Sequence, residues 1–301
     1  MNNNKQLLIF GEVLFDCFED GSTVLGGAPF NVAWHLQAFG CEPLFVSRVG
    51  DDELGEKIRR SMKDWGMDTR GLQLDSTHPT GTVQVRLIDG EPNYEIVAHR
   101  AWDFIDAQAM PDADPGLVYH GSLALRSPRS AGALQSLKDN CAAPVFMDIN
   151  LRPPWWEKFQ LEKLVTDAAW VKLNEHELRA LVHADDMVAG DDLQINAANL
   201  IDRYNLQLAI VTMGSAGAFA MDGNGAVFNV APADQNPVVD TVGAGDAFAS
   251  VCILGLVHGW EVDTILPRAQ AFASTVVGCR GATTDDSAFY APLLQQWGLT
   301  S

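Results

Sequence analysis

The sequence lacks several motifs that mark common classes of nucleotide-binding proteins and hydrolases. No Gly-Lys pair occurs anywhere, which excludes a P-loop. The first predicted strand is followed by Gly11-Glu12-Val13-Leu14, so the Gly-x-Gly-x-x-Gly fingerprint of dinucleotide-binding domains is missing where it should lie. A Gly-x-Ser-x-Gly elbow and a His-Glu-x-x-His pair are also absent.

Further absences concern compartment and partners. No apolar run is long enough to span a membrane, and the N-terminal residues lack the features of a signal peptide. The five cysteines are scattered without a Cys-x-x-Cys pair, so we expect reduced, mostly buried thiols in a cytoplasmic protein, and no zinc site. With 20 basic and 39 acidic residues the net charge is −19, which argues against nucleic acid or an anionic membrane as a partner.

The 301 residues alternate between short apolar strands and helical patterns. Buried strands are predicted at residues 6–10, 44–47, 117–122, 144–150, 169–173 and 208–212, and helices at 264–279 and 288–297. This rhythm predicts an α/β fold with a mostly parallel sheet and helices on both faces. Because no repeat, low-complexity linker or boundary is visible, we expect one domain over residues 1–301.

The most informative stretch is Asp240-Thr241-Val242-Gly243-Ala244-Gly245-Asp246-Ala247-Phe248. It predicts a strand end, a glycine turn and a helix over residues 247 to about 258. The glycines let several N–H groups point one way, and the helix adds the positive end of its dipole, which suits a phosphate. Asp246 could then accept a proton from a hydroxyl beside that phosphate. The alternative is ordinary helix capping, with Asp246 as a favourable first-turn residue.

Two features near the N-terminus are candidates for ligand contact. Asp16 lies in an apolar run. It is either a residue that binds a ligand or an ordinary aspartate of a turn or edge strand. Gly26-Gly27-Ala28-Pro29-Phe30-Asn31 begins a helix, since Pro29 fits its first turn. The two glycines either form a hinge that lets the backbone approach a ligand or are a flexible connector. Asn31 either offers its amide to that ligand or is an ordinary exposed polar residue.

Residues 82–97 alternate in the manner of an antiparallel hairpin with one polar face. Such a hairpin, added to a strand–helix chain, is either a lid over a site or a plain edge hairpin. The nearby Trp102, with Trp155 and Trp156, either shapes the pocket or belongs to the core.

Polar residues follow two further strands. Asn174 and Glu177 have the spacing of a capping box, and the same pair could face phosphates or a hydrated metal at the edge of the sheet. Asn150 lies at the polar end of the strand predicted at 144–150, at the same edge of the sheet.

These motifs, taken in order, resemble those of the ribokinase-like sugar kinases (the phosphofructokinase B family), in particular the bacterial fructokinases. The resemblance runs from Gly11 to Ala282. It is carried by the stretch at 240–248, by 26–33, by Val49-Gly50-Asp51-Asp52, by Asp148-Ile149-Asn150-Leu151-Arg152-Pro153, by Asn174-x-x-Glu177, and by Val211-Thr212-Met213-Gly214-x-x-Gly217.

The resemblance implies a ribokinase-like three-layer α/β sandwich with a small β lid from residues of about 12–25 and 82–100, and an ATP:sugar phosphotransferase. It implies that Asp246 is the catalytic base and that Gly243, Ala244 and Gly245 form the anion hole. The implied sugar-binding set is Asp16, Gly27, Asn31, Arg86, Asn150 and Arg152, the last two also lying near the phosphates.

For ATP, the resemblance implies contacts with Asn174, Glu177, Thr212, Gly214, Gly217, Ala273 and Val277. Glu177 would bind Mg²⁺ through water, and Asp240 would belong to a site for an activating K⁺ ion. The favoured substrate is D-fructose. Another sugar, a sugar acid such as 2-keto-3-deoxygluconate, a nucleoside, and a non-catalytic sugar sensor remain alternatives. The lid could pair two copies into a homodimer, or the protein could be a monomer.

Overall fold

The computed structural model describes residues 5–88, 91–156, 162–163, 165–183, 192–232 and 239–299. Its strands are β1 (Gln6–Phe10), β2 (Leu14–Phe18), β3 (Thr23–Gly26), β4 (Leu44–Gly50), β5 (Leu72–Asp75), β6 (Gly81–Ile88), β7 (Glu91–Ile96), β8 (Pro115–Gly121), β9 (Val145–Asp148), β10 (Trp170–Asn174), β11 (Leu208–Thr212), β12 (Ala218–Asp222) and β13 (Val227–Val230). Its helices are α1 (Ala28–Ala38), α2 (Glu53–Asp64), α3 (Pro128–Asp139), α4 (Glu175–His183), α5 (Leu193–Tyr204), α6 (Ala244–His258), α7 (Val262–Val277) and α8 (Ser287–Trp297).

The chain forms two compact units. One consists chiefly of Gly116–Leu123 and Ala143–Arg280, and the other of Gln6–Pro115, Ala124–Ala142 and Gly281–Ser301. They are called the C-unit and the N-unit below. The prediction of a single domain over residues 1–301 stays a prediction.

In the C-unit, the strands lie in the order β13-β12-β11-β10-β9-β8. Strands β8 to β11 are parallel, and β12 and β13 continue the sheet as an antiparallel hairpin. Apolar side chains of β9, β10 and β11 on one face pack against α4 and α5 in a buried cluster. Side chains alternate between faces along a strand, so Asp148 and Lys172 point to the other face, towards α6. Helices therefore cover both faces of this sheet, as predicted.

In the N-unit, β1, β4 and β5 form a parallel array in that order. A separate four-stranded sheet has the order β3-β2-β6-β7 and is called the small sheet below. The predicted hairpin at 82–97 corresponds to β6 and β7, which pair antiparallel. Strand β5 was not predicted, because its four residues show too short an alternation to signal a strand.

Helix α1, which carries Asn31, is held to α8 by a buried bond. His35 Nδ1 lies 2.9 Å from the hydroxyl oxygen of Tyr290. The start of α1 agrees with the prediction, since Gly27 is the N-cap and proline occupies the first turn.

The cysteines are all free thiols, as expected, but only Cys252 is fully buried, so the expectation of mostly buried thiols is wrong. Among the described residues, no helix combines the length and apolar character needed to cross a membrane.

Candidate active site

The glycine turn before α6 has the geometry expected of an anion site. Gly243 is the N-cap residue with φ 80°, a left-handed conformation that glycine adopts without a steric penalty. Its carbonyl oxygen accepts the Ala247 N–H at 2.8 Å. The first N–H groups of a helix have no intrahelical acceptor, and together with the helix dipole they favour an anion.

Helix α6 begins at Ala244, three residues before the predicted start at Ala247. Ala244, Gly245 and Asp246 therefore belong to its first turn. From Ala247 to Gly255 the helix is buried, whereas Gly245 is exposed and Asp246 partly exposed. The end of α6 that would hold a phosphate is thus open to a ligand, with a carboxylate beside it.

Asp240 fixes the beginning of this turn. Its Oδ1 accepts the Val242 N–H at 3.0 Å, and its own N–H donates to the carbonyl oxygen of Val277 at 3.2 Å. The second bond joins the turn to the end of α7. Ala273, also on α7, is buried, and Val277 is partly exposed.

Parallel register aligns the ends of β9, β10 and β11. Lys172 is the partner of Asp148, and Asn174 is the partner of Thr212. Polar groups therefore collect at the carboxyl edge of the sheet, where α/β proteins bind ligands. Just beyond β9, Asn150 has φ 43°, a left-handed conformation in which asparagine is enriched. Gly214 and Gly217 follow Thr212 in a short turn closed by the Met213 N–H, which donates to the Gly217 carbonyl oxygen at 2.8 Å.

Glu177 and Asn174 form the predicted capping box. Glu177 Oε2 accepts the Asn174 N–H at 2.8 Å, and Asn174 Oδ1 accepts the Glu177 N–H at 2.9 Å. Glu177 Oε1 accepts the Leu151 N–H at 2.8 Å as well, which ties the loop after β9 to α4. Burial, opposed by these N–H groups, raises the pKa of Glu177.

Lys172 and Asp148 are site residues that the sequence reasoning missed. Lys172 Nζ lies 2.9 Å from each carboxylate oxygen of Asp148, and both side chains are buried. Burial alone would lower the pKa of Lys172, but the charges of Asp148, Glu177 and Asp246 outweigh burial and raise it. A lysine inside the apolar strand Trp170-Val171-Lys172-Leu173 was the available signal.

In the N-unit, Asp16 lies on β2 between two valines, because its register partners are Val24 on β3 and Val83 on β6. Burial raises the pKa of Asp16 to about 6. Gly27 has φ 110°, and a Cβ there would lie 2.7 Å from the Glu12 carbonyl oxygen, so only glycine fits. Asn31 is 4% exposed, which rules out its interpretation as an exposed polar residue.

The structure does not bring Arg86 together with Asp16. Asp16 is the partner of Val83, and Arg86 lies three residues further along β6, on the opposite face of the small sheet. Its guanidinium is exposed and lies 3.9 Å from Glu95. Arg152 is also exposed, in the loop after β9. Trp102 is fully buried and belongs to the core of the N-unit, whereas Trp155 and Trp156 are partly exposed.

The donor set limits how a metal could bind. In the part of the chain that the structure describes, His, Cys, Asp and Glu form no group of three suited to a metal ion. Both oxygens of Glu177 already accept N–H groups. Glu177 therefore fits a hydrated Mg²⁺ that keeps its waters and binds phosphate oxygens, rather than a directly coordinated ion.

Comparisons with known proteins identify similar chains. A fructokinase of Klebsiella pneumoniae is 32% identical over 304 residues, covering 93% of this chain and 96% of that protein. A fructokinase of Escherichia coli is 30% identical, covering 93% and 96%. A fructokinase from Xylella fastidiosa, solved with bound ATP, has a TM-score of 0.84 at 24% identity and covers 97% of this chain and 99% of that chain.

The fold is also similar to that of a kinase with a different name. An aminoimidazole riboside kinase from Salmonella enterica has a TM-score of 0.78 at 23% identity, covering 98% of this chain and all of that chain. These neighbours confirm the predicted ribokinase-like α/β fold with a mostly parallel sheet and a small second sheet. Residues 10–288 match the profile of the pfkB family carbohydrate kinases. The chain therefore belongs to the pfkB family of carbohydrate kinases.

Proposed function

We propose that this sugar phosphotransferase transfers the γ-phosphoryl group of ATP to the 6-hydroxyl of D-fructose. The observation that carries the proposal is the partly exposed Asp246 in the first turn of α6, directly after the Gly243-Ala244-Gly245 turn. A base beside an anion site is what phosphoryl transfer to a hydroxyl requires. Fructose is favoured because the Klebsiella pneumoniae relative, at 32% identity, is a fructokinase.

In the proposed reaction, the Asp246 carboxylate accepts the proton of the 6-hydroxyl. The hydroxyl oxygen forms a bond to the γ-phosphorus as the bond to the ADP oxygen breaks, and the products are fructose 6-phosphate and ADP. The N–H groups at the start of α6 stabilise the charge on the transferred phosphoryl oxygens. Bound Mg²⁺ would neutralise phosphate charge, with Glu177 holding it through water.

The remaining predicted residues keep their roles as proposals. Asp16, Gly27 and Asn31 hold sugar hydroxyls, and Asn150 and Arg152 lie near the sugar and the phosphates. Asn174, Thr212, Gly214, Gly217, Ala273 and Val277 bind the nucleotide, and Asp240 belongs to a K⁺ site. Arg86 is left out of the proposed sugar site because of its place on the opposite face of the small sheet. The free cysteines support a location in the reducing cytoplasm.

A coupled ADP assay with Mg²⁺ and K⁺ tests this function. D-Fructose, D-ribose, tagatose, 2-keto-3-deoxygluconate and several nucleosides are offered separately, and the product is identified by its phosphate position. We expect the highest kcat/KM with fructose and a 6-phosphate product. A higher kcat/KM with another compound would retain the chemistry and replace the substrate. Sugar binding without turnover of any compound would support the non-catalytic alternative.

A further inference from the structure

Lys172 carries an ammonium group that is almost completely buried, although burial disfavours a charged group. It lies in the middle of β10, with its side chain 7% exposed, and pairs with Asp148, which is 2% exposed. Both carboxylate oxygens of Asp148 are 2.9 Å from Nζ. Buried charges of this kind persist only when they are paired, because their removal from water is costly.

The ammonium also lies against the first turn of α6. A Cβ built on Gly245 would be 3.6 Å from Lys172 Nζ, so the backbone of Gly245 lies close to the ammonium group. Besides Asp148, Lys172 interacts electrostatically with Glu177 and Asp246. One cation thus balances three carboxylates beside the predicted anion hole.

This placement matters for a protein of net charge −19. The field of the whole chain opposes an incoming polyphosphate, and the carboxylates of the site add to that field. A buried positive charge is little screened by salt or water, and it is already oriented before the ligand arrives. Lys172 adds positive potential behind N–H groups that carry only partial charges.

We infer that Lys172 is a positioning residue for phosphoryl transfer. Its ammonium supports the Gly243-Ala244-Gly245 turn from behind and offsets the carboxylates of Asp148, Glu177 and Asp246, without touching the substrate. The inference rests on the proposed function, since it assigns Lys172 to the anion hole of that reaction.

The test must separate this role from a merely structural ion pair. Lys172→Met leaves Asp148 buried without its partner, so that variant alone would confuse folding with function. The double variant Asp148→Asn/Lys172→Met removes both charges with little change of shape. We expect it to recover most of the unfolding midpoint lost in Lys172→Met, because no lone charge remains buried.

Turnover is expected to behave differently from stability. In the double variant, kcat should remain at least about tenfold below that of the wild type, and KM for ATP should be nearly unchanged. This loss is smaller than the roughly 100-fold loss that follows removal of a direct oxyanion donor. Asp148→Asn alone retains the ammonium, which Glu177 and Asp246 still face, and should be the faster of the two. Equal kcat values for Asp148→Asn and the double variant, or recovery of kcat together with stability, would overturn the inference.

A binding measurement keeps the inference independent of the proposed substrate. ADP alone and ADP with aluminium fluoride, which occupies the place of the transferred phosphoryl group, are titrated calorimetrically into the wild type and the double variant. We expect a loss of at least about tenfold in affinity for the fluoride complex, with ADP alone unchanged. Equal losses for both ligands would contradict the role of Lys172. If the wild type phosphorylated none of the sugars, the proposed function would fail while this titration still decided the inference.

Discussion

The carboxylate of Glu177 accepts the backbone N–H of Leu151 at 2.8 Å and so joins the loop after β9 to the first turn of α4. Its other oxygen accepts the Asn174 N–H. One side chain therefore holds two segments, the loop that carries Asn150 and the end of β10 that carries Asn174. Because both oxygens of Glu177 accept N–H groups, this side chain is suited to a hydrated ion that it would bind through water.

Glu177→Gln should loosen the contact between these two segments. An amide has only one acceptor oxygen, so one of the two part-buried N–H groups loses its partner, at a cost of about 1 kcal/mol in the free energy of unfolding. The Mg²⁺ concentration that gives half-maximal rate should rise as well. Urea unfolding and a Mg²⁺ titration of the rate measure both effects.

Glu175→Gln is the matched control, two residues before Glu177 on the same helix. Glu175 forms a partly exposed ion pair with Arg179, which is worth less than about 1 kcal/mol. Similar losses in the two variants would show that the bonds of Glu177 have no special role.

Asp246→Asn should lower kcat by roughly 100-fold to 10,000-fold, the range typical of a general base, and leave ATP affinity close to that of the wild type. The change keeps the shape of the side chain and removes its basicity. Steady-state kinetics and ATP titration are the measurements. Asp263→Asn, in the exposed first turn of α7, is the control and should keep the wild-type rate. Near wild-type turnover by Asp246→Asn would refute the assignment of the base.

Asp16 should make stability depend on pH. Because its pKa is raised from 3.8 to about 6, the folded protein holds this proton more tightly than the unfolded chain does. The associated stability is fully present below the ordinary pKa and is lost as pH rises through about 6. The Asp16→Asn side chain stays neutral at every pH. The unfolding free energy of this variant relative to that of the wild type should therefore increase from about pH 4 to about pH 7, and the difference should then stay constant.

Urea unfolding of both proteins over that range measures the difference, which cancels the titration of all other groups. A difference that stays constant with pH would contradict a raised pKa for Asp16. Fructose affinity, measured by calorimetry, should increase through the same range in the wild type only, since the ionised carboxylate is the better acceptor for a sugar hydroxyl.

Gly27→Ala should weaken both folding and sugar binding. The new Cβ would lie 2.7 Å from the Glu12 carbonyl oxygen at a backbone φ of 110°, and we expect a loss of about 1–3 kcal/mol in unfolding free energy. Gly40→Ala is the control, because Gly40 also has a positive φ of 78° but has open space around its Cβ position. Equal losses at the two positions would show that the contact with Glu12 is unimportant. Urea unfolding and fructose titration provide the comparison.

Potassium should activate the enzyme through Asp240. In Asp240→Asn, the amide oxygen can still accept the Val242 N–H, so the turn is kept while the charge is lost. We expect the rate of the wild type to rise when K⁺ replaces a bulky organic cation, and that of the variant to respond weakly. An equal response of both proteins, or none in the wild type, would show that the predicted K⁺ site is wrong.

Local sequence patterns were sufficient for most elements of the fold. The helix start at Asn174 follows from capping chemistry within three residues, and the structure has the corresponding side-chain bonds. The glycine turn before α6 was equally visible, because its conformation depends on its own residues. The start of α6 was misjudged by three residues, since the N–H groups of a helical first turn leave no mark in the apolar periodicity.

The family and the alternation of strands and helices follow from the sequence alone, which also marks Asp246 and the glycine turn as the predicted site. Which side chains face one another across strands becomes visible in the folded chain. Pairing of Lys172 with Asp148, burial of Asn31 and the position of Arg86 on the face opposite to Asp16 all depend on strand register and helix packing. Contacts between residues far apart in the chain are set by the burial of whole faces, and a local stretch of sequence does not contain that information.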